Sequence, residues 1–495
     1  MGIPPTSDSI LTVSPMRYAH ATGDETPRNG YGYESSLNRW VMANESSDHL
    51  ALHWAPSEGH RFELSMHHTV YRPDVDTNLL AQTLLEWPIH GSGRLLEIGC
   101  GSGAIALLAS SLGWEVTACD LNAHAIESTN RNALDHGLKV RTYLGGPVRV
   151  EGASRPSSWL TEGYDLVVWN TPYLDPLSDN PLDAMIDLSF TSPTPPLDLL
   201  MPFADEMLSP EGRLILIVGE ADHRRKEALG WIRHGWACRT LLQHQFEDGE
   251  VIEARVHWRP FEQGRHRHVE EVPSTNSALH DDPDAGPGDR LSAVRQTHGR
   301  GRRGRQWKTT EGAVAASWVL PEHPFAPGRL QVELGLAVRD ALRSLDSSRT
   351  LGLDMKWPND VLLGGDKVAG ILVEQRVLGH QVRTVAGIGV NLRNVTLEGI
   401  RYVGLDWNLE ATDVIEVIHA AIASRLEGIH LTPLAESDRH AIEQTLGTCG
   451  PMVAGRLLEH PSVDDEGRLI GTMEGSTHVC TDLDEVTWRH PHHRG

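Results

Sequence analysis

The chain has 495 residues, of which 39% are hydrophobic and 22% charged. Such a length accommodates about two to four domains, and the composition is that of an ordinary soluble globular protein. A net charge of −23 argues against non-specific nucleic-acid binding as the main role, and no run approaches the roughly 18 apolar residues of a membrane helix.

In chain order, residues 1–66 read as a loosely structured lead-in with a hairpin around His49–Trp54 and Phe62–Ser65. Short strands are then expected at Arg94–Ile98, Glu115–Cys119, Lys139–Tyr143, Asp165–Trp169 and Arg213–Val218, with helices such as Ala104–Ser111 and Ala123–His136 between them. Strand–helix alternation predicts a parallel sheet with crossovers, closed by a final strand at Val251–Trp258. The polar Arg259–His268 stretch has linker composition, which places an α/β domain at 67–259 and a linker at 260–268. A second unit at 269–436 mixes helices (Leu330–Ser344, Thr412–Leu426) with strands (Ala313–Leu320, Lys367–Arg376, Gln381–Val390). From residue 437 onward the segments look short and strand-like, as in a small β-barrel.

No secretory segment is visible at the N-terminus, so the expected compartment is the cytoplasm. Cys100, Cys119, Cys238, Cys449 and Cys480 are widely spaced and read as free thiols, with no metal site among them. His490, His492 and His493 read as a polar tail. Lysine occurs only at Lys139, Lys226, Lys308, Lys356 and Lys367, so a lysine inside a motif stands out.

Two constellations carry chemistry. In the first, Leu95-Leu-Glu-Ile-Gly-Cys-Gly-Ser-Gly103 is a strand, a glycine turn and a helix start. Gly99, Gly101 and Gly103 let a ligand lie against the backbone, the helix end offers free N–H groups, and Asp120 ends the next strand, where an acid can hold both ribose hydroxyls. Taken alone, the turn also satisfies a dinucleotide pattern through Ala104. Glu97 before the turn and Asn170-Thr-Pro-Tyr173 after the fourth strand point elsewhere. With Val70-Tyr-Arg-Pro-Asp-Val-Asp-Thr-Asn-Leu-Leu80, residues 67–258 resemble class I S-adenosylmethionine-dependent methyltransferases, specifically relatives of the release-factor glutamine methyltransferases.

The resemblance implies a Rossmann-like fold with a seven-stranded mixed sheet. It also implies transfer of a methyl group to a planar amide or amino nitrogen. A conjugated nitrogen is a poor nucleophile, so two acceptors hold its N–H groups. By resemblance these are the Asn170 side-chain oxygen and the Thr171 carbonyl, with Tyr173 packed on the planar group. Family members usually carry Pro where Thr171 stands; Pro172 still biases that residue toward extended backbone. A glutamine of a peptide-chain release factor is the first choice of acceptor. Adenine N6 in RNA or DNA, or an inactive methyltransferase-like binding module, are the alternatives.

The second constellation begins with Gly299-Arg-Gly-Arg-Arg-Gly-Arg-Gln-Trp307, four arginines and three glycines in nine residues. A flexible positive loop of this kind suits closure over phosphate, or in isolation a nucleic-acid patch. Ser274-Thr-Asn276 lies upstream, and Lys356-Trp-Pro-Asn-Asp360, Lys367–Glu374 and Gly387-Ile-Gly-Val-Asn391 lie downstream. In this order the motifs resemble biotin–protein ligases over residues 266–495, implying an α+β catalytic domain and a small SH3-like C-terminal barrel.

The implied chemistry is activation of biotin by ATP and Mg²⁺ to biotinyl-AMP, then transfer to a lysine of a biotin carboxyl carrier protein domain. Lys367 would stand between carboxylate and phosphate, while Arg300, Arg302 and Arg303, with Gly299 at the loop base, would clamp phosphate and exclude water. Arg303 and Lys367 are the expected catalytic pair on this side, as Asn170 and Tyr173 are in the first domain. Ser274, Thr275 and Gln296 suit the ureido ring of biotin, and Asn276 is counted with them as cofactor-binding. Asn391 and Trp307 would flank adenine, and Asn359 and Asp360 would meet triphosphate or metal. Lys356 would contribute to phosphate binding or form a surface ion pair, and Gly370, on the strand of Lys367, is counted with the cofactor-binding residues. No helix-turn-helix segment is visible, so repression of an operator is not expected. A monomer and a homodimer are both open.

Overall fold

The computed structural model describes residues 49–88, 93–147, 157–172, 196–219, 221–346, 349, 352–379, 381–397, 400–428 and 434–489. They fall into two compact units. One takes in the chain up to Ala228 with Arg239–Trp258, the other Leu229–Cys238 with Arg259 onward. No described helix is long and apolar enough to cross a membrane.

The first unit opens with an antiparallel hairpin, β1 (His49–Ser57) and β2 (His60–His67), near the expected positions. Its apolar residues alternate, so Leu52, Trp54, Phe62, Leu64 and Met66 all face inward. Helix α1 (Val75–Leu85) starts where Asp74 caps the Val75 N–H at 2.8 Å. Five parallel strands follow: β3 (Arg94–Ile98), β4 (Glu115–Asp120), β5 (Val140–Leu144), β6 (Tyr164–Asn170) and β7 (Leu208–Val218). Helices α2 (Ala104–Ser111), α3 (Ala123–Asp135), α4 (Pro196–Met207) and α5 (Ala221–Arg233) lie between or after them. Runs such as Leu166–Trp169 and Leu214–Val218 are buried throughout, as befits strands covered on both faces.

The sheet order is β5-β4-β3-β6-β7-β9-β8, with β9 (Val251–Trp258) antiparallel to β7. The edge strand β8 (Ala237–Gln245) is an addition to the sequence reading. Its Cys-Arg-Thr-Leu-Leu-Gln-His-Gln run is half exposed and lacks a clean apolar period.

The second unit holds another seven-stranded sheet, in the order β10-β11-β12-β16-β15-β14-β13. Its strands are β10 (His266–Val272), β11 (Arg290–Gln296), β12 (Val314–Val319), β13 (Leu353–Lys356), β14 (Asp360–Leu363), β15 (Asp366–Leu378) and β16 (Gln381–Val390). Only β10 and β11 pair in parallel; the other pairs are antiparallel, and a separate two-stranded hairpin joins β17 (Val395–Leu397) to β18 (Ile400–Tyr402). The last three residues of the expected linker, His266–His268, therefore belong to this sheet.

Helix α6 (Thr275–Asp281) follows β10, and helices α7 (Pro327–Leu345) and α8 (Ala411–Leu426) pack on each other. Residues 437–449, read as strand-like, instead form most of helix α9 (Glu436–Cys449). Glu436 and Asp438 sit in its first turn, Ile442, Leu446 and Cys449 form a buried stripe, and Gly450 closes it in a left-handed conformation. Beyond it lie two three-stranded sheets. One joins β19 (Pro451–Val453), β20 (Arg456–Leu457) and β24 (Val486–Trp488); the other joins β21 (Glu459–Val463), β22 (Leu469–Met473) and β23 (Ser476–Val479). Val453, Leu458, Val463, Leu469 and Val486 share one core with Val332, Leu336, Trp357 and Leu446, so this module is packed onto α7 and α9.

Candidate active sites

In the first unit the glycine turn joins β3 to α2. Gly99, Gly101 and Gly103 all have positive φ, which a side chain resists. A Cβ on Gly103 would also lie 2.9 Å from Thr129 Oγ1, so the helix start can approach α3 only as glycine. Asp120 stands at the end of β4, its Oδ2 accepting from Gly101 N at 2.9 Å and its Oδ1 from Asn122 N at 2.8 Å. The carboxylate thus braces the turn as well as ending the strand. Burial raises its pKa, against the backbone bonds that lower it. Glu97 is 5% exposed and one carboxyl oxygen has no partner. Burial drives its pKa well up, assisted by the neighbouring Asp120.

Asn170 ends β6 with a buried side-chain oxygen that accepts no hydrogen bond. An unpartnered amide oxygen inside a protein is costly unless a ligand supplies the donor. Thr171 is buried, and its hydroxyl donates to the Ile217 carbonyl of β7 at 2.5 Å. Thr171 therefore ties the chain after β6 to the next strand. Pro172 follows; Tyr173 lies outside the described residues, as do the residues from 191 to 195.

In the second unit Ser274, Thr275, Asn276 and Gln296 converge. Thr275 donates through both N and Oγ1 to Gln296 Oε1, at 2.9 and 3.1 Å, and Ser274 caps α6. Ser317 Oγ lies 2.6 Å from Thr275 Oγ1 and from Asn276 Oδ1, and Asn276 Nδ2 donates to Glu374 at 2.8 Å. Ser274, Thr275, Asn276 and Ser317 are almost wholly buried, Gln296 and Glu374 partly so, and together they form a polar floor inside an apolar sheet. Sequence reasoning missed Ser317, although a hydroxyl within Val-Ala-Ala-Ser-Trp-Val is a signal that such a floor exists.

The arginine loop is a hairpin. Trp307 N donates to Gly299 O at 2.9 Å and Gly301 N to Arg305 O at 2.7 Å, around a bridge between Arg300 and Gln306. Arg303 sits at φ 57. The arginines reach different partners. Arg300 pairs with Glu374 at 3.0 Å and bonds Ser277 at 2.8 Å, at the polar floor. Arg302 reaches Asn359 Oδ1 at 3.0 Å and Asp484 at 2.6 Å; Arg303 reaches Asp484 and the carbonyls of Asp484 and Val486.

Lys367 lies at the start of β15, 2.8 Å from Asp360 and with its ammonium 5.8 Å from the centre of the Trp307 ring. Three glycines make this arrangement possible. A Cβ on Gly389 would overlap the Trp307 indole, one on Gly387 would overlap Asn276, and one on Gly370 would lie 2.9 Å from Lys367 Nζ. Gln306, Trp307, Lys308, Lys367, Asn391 and Tyr402 line one cleft. Asn391 presents a buried oxygen without a partner, while its Nδ2 donates to Val403 O at 3.2 Å. Asn359 is half-buried, its Nδ2 donating to Ile371 O at 2.9 Å and its Oδ1 accepting from Arg302. Lys356 is also apart from the cleft, over the Trp488 ring at 4.8 Å. Burial lowers its pKa, against the charge of Asp360 that raises it.

Residues 272–391 match the biotin/lipoate A/B protein ligase family, and residues 64–189 the methyltransferase small domain. The biotin–[acetyl-CoA-carboxylase] ligase of Mycobacterium tuberculosis is 31% identical over 219 residues, which is 40% of this chain and 79% of that protein. The chain belongs to the biotin–protein ligase family. Like-named ligase from Paracoccus denitrificans is 48% identical over 103 residues, 20% of this chain, and this chain spans only 42% of its length. The N-terminal unit of this ligase-family chain is methyltransferase-like. It is 34% identical over 195 residues to the release factor glutamine methyltransferase of Bordetella pertussis, covering 37% of this chain and 64% of that protein.

Proposed function

We propose that the chain is a bifunctional enzyme: an ATP-dependent biotin–protein ligase joined to an S-adenosylmethionine-dependent N-methyltransferase. The observation that carries the ligase reading is the Lys367–Trp307–Asn391 cleft beside the Thr275–Gln296–Ser317 floor. A ureido ring has two N–H donors and one carbonyl acceptor, which the hydroxyls and amides of the floor can match. Lys367 offers a cation where a carboxylate must approach a phosphate, offsetting their repulsion. Trp307 presents a flat face and Asn391 an unpaired oxygen, both suited to an adenine. Mg²⁺ would offset triphosphate charge. Asp360 already balances Lys367 and Asn359 already receives Arg302, so these side chains fit a role in setting the phosphate end more than in enclosing a metal.

On the methyltransferase side, the positive-φ glycines leave room for a cofactor against the backbone. The unpaired Asn170 oxygen is placed to hold an N–H of a planar acceptor. Likeness to release factor glutamine methyltransferase favours a glutamine acceptor, and the acidic chain favours a protein over a nucleic acid. The proposed partners are a biotin carboxyl carrier protein domain and a peptide-chain release factor. We read the domains as a methyltransferase ending at Trp258, a ligase starting at His266, and an SH3-like cap over residues 451–488.

Two assays on the full chain test this. Biotin, Mg-ATP and a carrier-protein domain should yield avidin-reactive carrier, and absence of product would overturn the ligase reading. Labelled S-adenosylmethionine offered with release factor, total RNA and DNA should label release factor alone. Label only in nucleic acid would overturn the acceptor, and no label at all the activity.

A further inference from the structure

Three side chains that neither reaction uses meet in the C-terminal module. His478 lies on β23, Cys480 follows that strand, and Glu485 ends the turn leading into β24. His478 Nε2 or Nδ1, Cys480 Sγ and a Glu485 carboxyl oxygen all lie within 4.8 Å of one another. His478 Nε2 is a buried atom with no hydrogen-bond partner, although Glu485 Oε2 is 3.5 Å away. The two face a common point without bonding each other. Two donors bound at about 2.0–2.3 Å in a tetrahedron stand roughly 3.3–3.8 Å apart, which brackets that separation.

Backbone bonds hold the donors in place. Cys480 N donates to Leu469 O at 2.8 Å, and Glu485 N donates to Asp482 O at 3.2 Å. Glu485 Oε1 accepts from Asp482 N at 3.3 Å, which leaves Oε2 for the shared point. Cys480 is buried, while the side chains of His478 and Glu485 are 32% and 28% exposed, so the point has a path to solvent.

We propose that His478, Cys480 and Glu485 form a three-ligand site for a divalent ion of the zinc class, with the fourth position left to water. Imidazole nitrogen, thiolate and carboxylate suit zinc or cobalt, whereas magnesium and calcium take oxygen donors. Binding forms metal–nitrogen, metal–sulfur and metal–oxygen bonds, and the thiol proton leaves to solvent. The ion would tie β23 to the turn that carries Asp484, the acid that holds Arg302 and Arg303. The site stands independently of the ligase reading.

Cobalt(II), added to the reduced, chelator-stripped full chain, is the probe. One equivalent should produce a thiolate-to-cobalt charge-transfer band that zinc abolishes, and zinc should raise the unfolding temperature. Cys480→Ser should lose the band; His478→Gln, which leaves the buried sulfur in place, should weaken zinc binding at least tenfold and lose the thermal shift. The tail imidazoles at 490, 492 and 493 can bind cobalt but give no thiolate band. A wild-type complex without that band, or a band that survives in Cys480→Ser, would overturn the site. The unchanged thermal response of His478→Gln would do the same.

Discussion

Asp484 accepts from both arginines at the tip of the Gly299–Trp307 hairpin, with Oδ1 2.6 Å from Arg302 Nη2 and 3.2 Å from Arg303 Nε. The acid comes from the C-terminal module, so that module fixes the loop. Arg302 and Arg303 side chains are 18% and 31% exposed, where each ion pair is worth about 1 kcal/mol or less. Asp484→Ala should therefore leave biotin affinity unchanged and speed loss of biotinyl-AMP by up to about tenfold. Release of preformed adenylate, followed by filter binding, reads this directly. Slower release would show instead that Asp484 competes with phosphate for the two cations.

Asn170 and Thr171 divide two tasks. Asn170 has a buried oxygen without a partner, which in the proposed reading holds the acceptor, and Thr171 anchors the chain to β7 through Ile217. Asn170→Ala should lower methyl transfer by about 10²–10³, the scale of one well-placed hydrogen-bonding group. S-adenosylmethionine affinity by calorimetry should stay within about twofold. Equal loss of cofactor affinity would assign Asn170 to the cofactor.

Much of this arrangement was legible in the sequence, for local reasons. Glycines at Gly99, Gly101 and Gly103 mark a turn with positive φ, and Gly387 and Gly389 sit where side chains would strike Asn276 and Trp307. Asp484 was not legible. It is one acid among many, and its partners lie 181 and 182 residues away in the chain. Helix α9 was obscured because only three buried apolar positions mark its face, and β8 because an edge strand needs no apolar alternation. The hairpin form of the arginine loop follows from backbone bonds between Gly299 and Trp307, which composition does not encode.

Lys367 and Asp360 form a pair at 2.8 Å with both side chains partly exposed. Lys367→Met should reduce biotin-dependent ATP–pyrophosphate exchange by about 10²–10³, with biotin binding retained. Lys367→Arg should rescue it only in part, because Lys367 Nζ packs closely against Gly370 and a planar, larger guanidinium does not reproduce that position. Full activity in the arginine variant would reduce the lysine to a generic positive charge. Asp360→Asn should give a milder loss, read as a raised KM for ATP.

His419 sets a pH limit on the second unit. Trp318 Nε1 donates to His419 Nδ1 at 3.1 Å, which requires the neutral ring. Burial, then the charge of Arg290, pushes its pKa down to about 3. The unfolded ring titrates near 6.5, so on acidification the unfolded state takes up the proton first. The neutral histidine's stabilising contribution is full above about pH 6.5 and declines as pH falls toward 3, at up to about 1.4 kcal/mol per pH unit. His419→Leu should cost about 1–3 kcal/mol at neutral pH, because the Trp318 N–H loses its acceptor. It should also flatten the acid dependence between pH 6.5 and 4. Calorimetry of the transition that biotin and ATP raise would measure both effects, and an unchanged slope would exclude His419 as the source.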